Sequence, residues 1–359
     1  MRTIRVDLGK NGYEIRIGAG VLAQTGHWLK ELGFSGKLVI ITDDTVKDLY
    51  GDDLQRHLAG EGLRVTTLSV PAGEDQKSLE TAGQLYQELT RARAERTTPI
   101  LTLGGGVIGD LAGFVAATFM RGIPLVQIPT TLLAQVDSSI GGKVAVDYGQ
   151  LKNMIGVFYQ PQLVIADTAT LKTLPDSEMA NGLAEVIKSA AIRDGKLFDY
   201  LEENLEKVKT LGTEVTEEIV SRTAGIKAGV VAADEKDTGL RNILNYGHTI
   251  GHAIETVSDF RISHGHAVAL GMVAAARISC RLGMLTENEV SRLQRLIESA
   301  GLPATMPELS TAAMIETMQH DKKVKDDKTR FVLLKGIGNA VVTDNVNPAL
   351  LAEVLSREA

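Results

Sequence analysis

The chain has 359 residues, 44% hydrophobic and 23% charged, with a formal net charge of -7. That length supplies ample core and most naturally makes two domains. The acidic balance argues against a nucleic-acid or anionic-membrane surface while leaving room for a local basic pocket that binds an anion. The single cysteine, Cys280, excludes a disulfide framework within the chain and, lying in the apolar run AVALGMVAAARISC, is expected to be a buried helix residue rather than a nucleophile. The opening residues carry no apolar signal core, and Arg277 interrupts the most apolar helical run, so a cytoplasmic protein is expected.

The first residues, MRTIRVDLGKNGYEIRIGAG, alternate apolar and polar side chains on either side of Lys10-Asn11-Gly12, which predicts an antiparallel ribbon closed at Asn-Gly. KLVIITDD predicts a buried strand that delivers Asp43 and Asp44 at its end. LRVTTLSV predicts another, leading through Pro71-Ala72-Gly73, Glu74 and Lys77 into a helix that runs to about Ala94. PILTLGGGVIGDLAGFVAATFMRG reads as an apolar strand turning on glycines into a small-residue helix, and PLVQIPTT as the next strand. Such alternation implies a mostly parallel sheet with helices on its faces and ligands at the carboxyl ends of the strands.

From about Asp176 the pattern is helical, except for a strand pair in FVLLKGIGNAVVTDNV. The expected architecture is therefore an α/β N-terminal domain over residues 1–174 with a Rossmann-like nucleotide site, followed by an all-α C-terminal domain over residues 175–359. The mixed-charge run at 321–328 is expected to be a solvated loop.

Three clusters carry chemistry. Gly104, Gly106 and Gly109 of LGGGVIGD fit G-x-G-x-x-G between strand and helix, where backbone amides receive a pyrophosphate. The competing reading is a tight turn that only glycine can make. The strand PLVQIP lacks the terminal acidic residue that holds an adenosine ribose, leaving that role to Asp43, Asp44 or Glu74.

Second, four of the seven histidines fall in NYGHTIGHAIETVSDFRISHGH. His248 and His252, at i and i+4, share one helix face, and His264 and His266 follow at a second helix start. One such pair suits a solvated face as well as a metal; two pairs favour the metal. Glu185, on an apolar helix face with Lys188 three residues later, is either half of a buried ion pair or, with two imidazoles, the third ligand of an open zinc sphere.

Third come Lys143, Lys152, Asn153, Lys227, Arg241 and Asn245. Lysines taken singly are solvated. Lys227 and Arg241 have apolar or small neighbours and read as pocket walls, which points to a substrate with more than one negative group, such as a phosphate with a carboxylate.

PAGEDQKS, LGGGVIGDLAGFVAATFMRG, IPTTLLAQVDSSIGGKVAVD, KNMIGVFYQP, LAEVIKSA, KAGVVAADE, LNYGHTIGHAIE and HGHAVALGM, in this order, resemble the 3-dehydroquinate synthase family along nearly the whole chain. The resemblance implies an NAD-binding α/β domain, a helical domain, and conversion of 3-deoxy-D-arabino-heptulosonate 7-phosphate to 3-dehydroquinate, with phosphate eliminated and hydride lent to NAD and returned in each turnover. It implies that Glu185, His248 and His264 hold zinc, with cobalt the alternative ion. His252 is then moved to the substrate pocket near the phosphate, beside Asp137, Lys143, Asn153, Lys188, Lys227, Arg241 and Asn245, with Arg121 supplied by the neighbouring subunit of a homodimer. NAD would meet Asp43, Glu74, Lys77, Gly105, Gly106, Val107, Asp110, Thr130, Thr131, Leu133, Asp137, Ser138, Lys143, Lys152 and Thr173. One position departs from the family pattern: His266 stands where H-G-E is usual, which alters the surroundings of the ligand His264. The rival readings are an NAD- and metal-dependent polyol dehydrogenase and a related cyclase of carboxylate-free sugar phosphates.

Overall fold

Seven runs of β-forming residues pair into one sheet in the computed structural model, which describes residues 1–149, 151–322 and 329–356. The strands of the N-terminal part are β1 (Arg2–Val6), β2 (Tyr13–Gly18), β3 (Lys37–Asp43), β4 (Arg64–Val70), β5 (Ile100–Gly104), β6 (Leu125–Pro129), β7 (Lys143–Tyr148), β8 (Leu151–Phe158) and β9 (Leu163–Asp167). The sheet order is β1-β2-β9-β6-β5-β3-β4. Only β1 and β2 are antiparallel; every other pairing is parallel. β5, β6 and β9 are buried at every position, as strands covered on both faces must be. Val39 and Ile41 pack on one face with Leu85, Leu111 and Val115, while Leu38 and Ile40 pack on the other with Trp28, Leu54 and Leu58.

One local expectation is corrected, and one element was not foreseen. The β1–β2 pairing stops at Val6 opposite Tyr13, so the connection is longer than a two-residue turn; its left-handed residue is Gly9, at φ 58°, and Gly12 is extended at φ -66°. Residues 143–158 form an antiparallel hairpin, β7 with β8, bulged between Val146 and Tyr148, that the strand–helix alternation did not announce.

The chain divides into two compact units. The first is Met1–Leu174 together with Thr216–Lys236; the second is Pro175–Val215 together with Asp237–Ala359. A single cut at residue 174 therefore misses the return of most of the helix Thr213–Ala233 to the first unit. The second unit is built from the helices Asp176–Arg193, Gly195–Lys209, His248–Val257, His264–Arg281, Glu287–Ser299, Thr311–Lys322 and Pro348–Leu355, with the expected strand pair β10 (Phe331–Leu334) and β11 (Ala340–Thr343). Helix Asp176–Arg193 is buried without a break from Met179 to Ile192, the mark of a central helix. Cys280 is half-buried near the end of its helix, not fully buried as expected. No helix among the described residues is long and apolar enough to cross a membrane. The charged run expected as a loop lies, from residue 323, outside the described residues.

Candidate active site

The histidine cluster exists because three helices approach more closely than side chains allow. A Cβ on Gly271 would lie 2.0 Å from the Gly247 carbonyl oxygen, one on Gly251 would lie 3.1 Å from that of Ala267, and one on Gly265 would lie 2.5 Å from Asn181 Cα. Glycine at these crossings lets helix His264–Arg281 lie against His248–Val257 and Asp176–Arg193. Gly247, left-handed at φ 80°, turns the chain into the first of these helices and puts His248 at its first position. Tyr246, fully buried, anchors that turn by donating its hydroxyl to the Met272 carbonyl at 3.0 Å.

These crossings bring together Glu185, His248 and His264. Glu185 Oε1 lies 3.5 Å from His248 Nε2 and 3.7 Å from His264 Nε2, and its Oε2 contacts Lys188 Nζ. Oε1 has no hydrogen-bond partner among the described residues, although Glu185 is 1% exposed. Atoms about 2.1 Å from one tetrahedral ion stand about 3.4 Å from each other. The two imidazoles thus face the carboxylate at the spacing of ligands sharing a cation. Lys188 faces one oxygen of Glu185 while the two imidazoles face the other.

The electrostatics follow from this crowding. Burial works against a charged Glu185, yet Lys188, His248 and His264 hold its carboxyl well below the usual range. Burial and then the Lys188 ammonium push His248 down to about 3, leaving it neutral and able to ligate. His264 is also penalised by burial, but the carboxylates of Glu185 and Glu255, one facing each ring nitrogen, carry it up to about 9. His248 Nδ1 faces the Tyr246 carbonyl at 3.2 Å; that oxygen can only accept, so Nδ1 carries the proton and Nε2 is left for an ion. His252 stands beside the trio, with ring centroids 5.4 Å from His248 and 6.2 Å from His264, and is not one of its three donors. Its ligating atoms instead group with Glu255 and His264. His266, half-buried, belongs to neither group. In the same unit Arg241 is buried at 3% exposure and Asn245 is exposed.

The first unit holds the expected nucleotide residues. β5 ends at Gly104 and the helix Gly106–Thr118 begins two residues later, with first-turn amides that lack partners within the helix. None of Gly104, Gly105, Gly106 or Gly109 is left-handed. They are glycines for closeness: a Cβ would meet Ile108 at 2.8 Å, Thr131 at 3.0 Å, Ser138 at 3.1 Å and Gln127 at 3.0 Å, respectively. The Thr130 amide donates to the Gly104 carbonyl at 3.0 Å, tying the Thr130–Thr131 turn to the glycine strand. β3 is the neighbour of β5 opposite β6, so Asp43 ends the strand beside the glycine turn, where β6 ends in Pro129. Asp43 also caps a helical turn, accepting from the Val46 amide at 2.9 Å, and burial raises its pKa.

Lys77, 5% exposed, sits 2.7 Å from Asp110 Oδ2 and also donates to Asn153. Lys227, likewise buried, lies 2.7 Å from Asp137 Oδ1 and donates to the Asp137 carbonyl. The buried setting expected for Lys227 and Arg241 is therefore present. Lys152 faces Glu74 at 4.0 Å, and Thr173 Oγ1 contacts the Tyr50 hydroxyl. Val107, Leu133 and Ser138 are half-buried along this stretch, and Lys143 begins β7 exposed. Arg121 is exposed and left-handed at φ 71°, between Met120 at 51° and Gly122 at 113°. Holding non-glycine residues there costs about 1–2 kcal/mol each.

Two residues escaped the sequence reading. Gln127, buried in β6, accepts from Thr102 Oγ1 at 2.7 Å and donates to the Gly109 carbonyl at 3.1 Å, clamping the glycine helix to the sheet. Glu255 is buried beside His264; its seven-residue spacing from His248, on the face that also carries His252, was the available signal.

Comparison with known proteins agrees over the whole chain. Family models described as 3-dehydroquinate synthase N-terminal and 3-dehydroquinate synthase C-terminal match residues 67–181 and 182–324. A 3-dehydroquinate synthase of Dehalococcoides mccartyi is 51% identical over 356 residues, 99% of this chain and 98% of that protein. Among solved structures, a 2-epi-5-epi-valiolone synthase of Streptomyces hygroscopicus with NAD+ and Zn2+ bound superposes with a TM-score of 0.89 at 27% identity, covering 96% of this chain and 95% of that one. A 2-deoxy-scyllo-inosose synthase complexed with carbaglucose-6-phosphate, NAD+ and Co2+ gives the same score at 28% identity, covering 99% and 100%. Two matched family models across residues 67–324, near-complete overlap at half identity, and a carboxylate between two imidazoles have one common reading: the chain belongs to the 3-dehydroquinate synthase family.

Proposed function

We propose that the protein converts 3-deoxy-D-arabino-heptulosonate 7-phosphate to 3-dehydroquinate and inorganic phosphate, a phosphate-eliminating cyclisation using NAD and a zinc ion. The observation that carries this reading is the buried Glu185–His248–His264 donor set at ligand spacing, in a chain half identical to a synthase of that name. Zinc would be held by those three side chains, and NAD by the glycine turn with Lys77, Asp110 and the Thr130–Thr131 segment. When bound, the ion supplies Lewis acidity toward neighbouring substrate hydroxyls and NAD accepts and returns a hydride.

The remaining roles belong to side chains. Lys143, Asn153 and His252 bind the phosphate, and Lys227 with Arg241 holds the carboxylate. Burial of Lys227 and Arg241 keeps water from screening their charge, so they fix an anion's orientation as well as attract it. Asp137 steadies Lys227 through two oxygens, which limits the ammonium to one position. Lys188, pressed against Glu185, places a positive charge beside the ligand carboxylate, where developing negative charge on substrate oxygens is stabilised. With the groups held in this way, little dedicated acid–base equipment is required.

A homodimer in the cytoplasm completes the proposal. Arg121, presented on a left-handed backbone, and the exposed apolar Tyr148, Leu151 and Met154 of the β7–β8 hairpin support self-association. The lone cysteine suits a reducing compartment. The test is to supply the heptulosonate phosphate with zinc and catalytic NAD. Phosphate and dehydroquinate should form without net NADH; accumulating NADH would instead mark a polyol dehydrogenase.

A further inference from the structure

His248 and His264 are offered to the same ion with different backing. His248 is 14% exposed in its side chain, and its Nδ1 faces a backbone carbonyl at 3.2 Å. His264 opens its helix, is 35% exposed in its side chain, and has Nδ1 3.5 Å from Glu255 Oε2 while Nε2 faces Glu185. Its ring therefore lies between two carboxylates, one at each nitrogen. Glu255 is 6% exposed, and nothing in the proposed chemistry uses it. The more exposed imidazole, on a helix's first turn, has more rotational freedom than the other, and a fixed acceptor removes it.

We propose that Glu255 is the positioning residue of His264: it accepts the Nδ1 proton, fixes the tautomer that leaves Nε2 for the ion, and adds a carboxylate's charge behind that ligand. Its place on helix His248–Val257, seven residues after His248, couples the two imidazoles through one rigid element. A rearrangement that moves this helix moves one ligand and the partner of the other together. The inference rests on the ion-site reading above.

The test compares Glu255→Gln with Glu185→Ala and the wild type, each stripped of metal and titrated with zinc. Wild-type protein should bind one equivalent. Glu255→Gln, which keeps shape and an acceptor oxygen but loses the charge, should bind one equivalent about 10–100-fold more weakly. The visible absorption of the Co(II)-loaded protein should shift. Zinc affinity within twofold of wild type with an unchanged Co(II) spectrum overturns the proposal, and so does complete loss of binding like that of Glu185→Ala, which would make Glu255 a ligand. A wild type that binds no zinc defeats the ion-site reading itself, a separate result. Should Glu255→Gln fail to fold, nitrogen-15 spectra of the zinc-loaded wild type decide the matter, with the His264 signals assigned by their loss in His264→Gln: zinc on Nε2 with a proton on Nδ1 supports the role, and the reverse arrangement overturns it.

Discussion

The glycine turn of the first unit and the helix crossing of the second both use glycine for closeness, but what they bring close differs. At the turn, glycines make room for neighbouring side chains, and what the helix start offers a ligand is backbone amides whose positions are set by β5 and its sheet neighbours. The buried cations beside it, Lys77 and Lys227, already face Asp110 and Asp137. At the crossing, glycines make room for the backbone of a neighbouring helix, and the groups brought together are three side chains able to ligate an ion. A site made of backbone degrades gradually under substitution. One made of converging side chains fails when any of them is removed.

Glu185→Ala is the most severe way to break that contrast. It removes the atom both imidazoles face and strands Lys188, so stoichiometric metal should be lost and kcat should fall by about 10³-fold or more. Elemental analysis and single-turnover assays check both. Retention of one equivalent of metal would show that the histidines suffice. Next in size, Gly271→Ala places a methyl 2.0 Å from the Gly247 carbonyl oxygen, backbone that cannot swing away. The helices must separate, at a cost of about 3 kcal/mol or more, read as a lowered denaturation midpoint with weakened zinc binding. A variant of full stability but weak zinc binding would mean that the crossing sets ligand spacing without carrying stability.

How much of this was legible in the sequence divides along the same line. The parallel sheet was, because β3, β5, β6 and β9 are covered on both faces and so read as unbroken apolar runs. The β7–β8 hairpin was not: β8 is exposed along nearly its whole length, so no alternation of burial is written into it. The helix Thr213–Ala233 announces its buried positions, but apolar spacing does not say which unit covers them. At the histidine cluster, i,i+4 spacing alone paired His248 with His252, and it was the resemblance that named His264. The observed trio substitutes His264, because a neighbouring helix start reaches the carboxylate that the next turn of the same helix does not. Spacing along one helix cannot report what a second helix delivers. Glu255 and Gln127 were missed because a single polar residue within an apolar pattern looks like noise until its partner is known.

Lys77→Met sharpens the comparison on the nucleotide side. Asp110 keeps its burial and loses its cation, which should cost about 2 kcal/mol at neutral pH, less than a fully enclosed pair because its side chain is 19% exposed. Burial already raises the Asp110 pKa, and removing Lys77 raises it further. A carboxyl titrating higher in the folded than in the unfolded state costs stability once pH passes its unfolded value, and the full cost is present above its folded value. The variant's deficit should therefore be larger at pH 8 than at pH 5. A deficit independent of pH would mean that Lys77 contributes by packing its stem rather than by its charge.

The smallest effect is expected at Gly106. A Cβ there would lie 3.1 Å from Ser138 Oγ, a side-chain atom that can give by the few tenths of an ångström needed. Gly106→Ala should thus leave metal content and folding intact and weaken NAD about fivefold, equivalent to about 1 kcal/mol, as the helix start shifts under its amides. Ser138→Ala removes the obstructing oxygen, so the double variant should recover most of the lost affinity, a coupling that titration of NAD into the four proteins measures directly. A loss that Ser138→Ala does not relieve would locate the sensitivity in the dinucleotide's own approach to Gly106. The glycine would then be required by the ligand rather than by the fold, and the two regions would differ less in kind than their geometry implies.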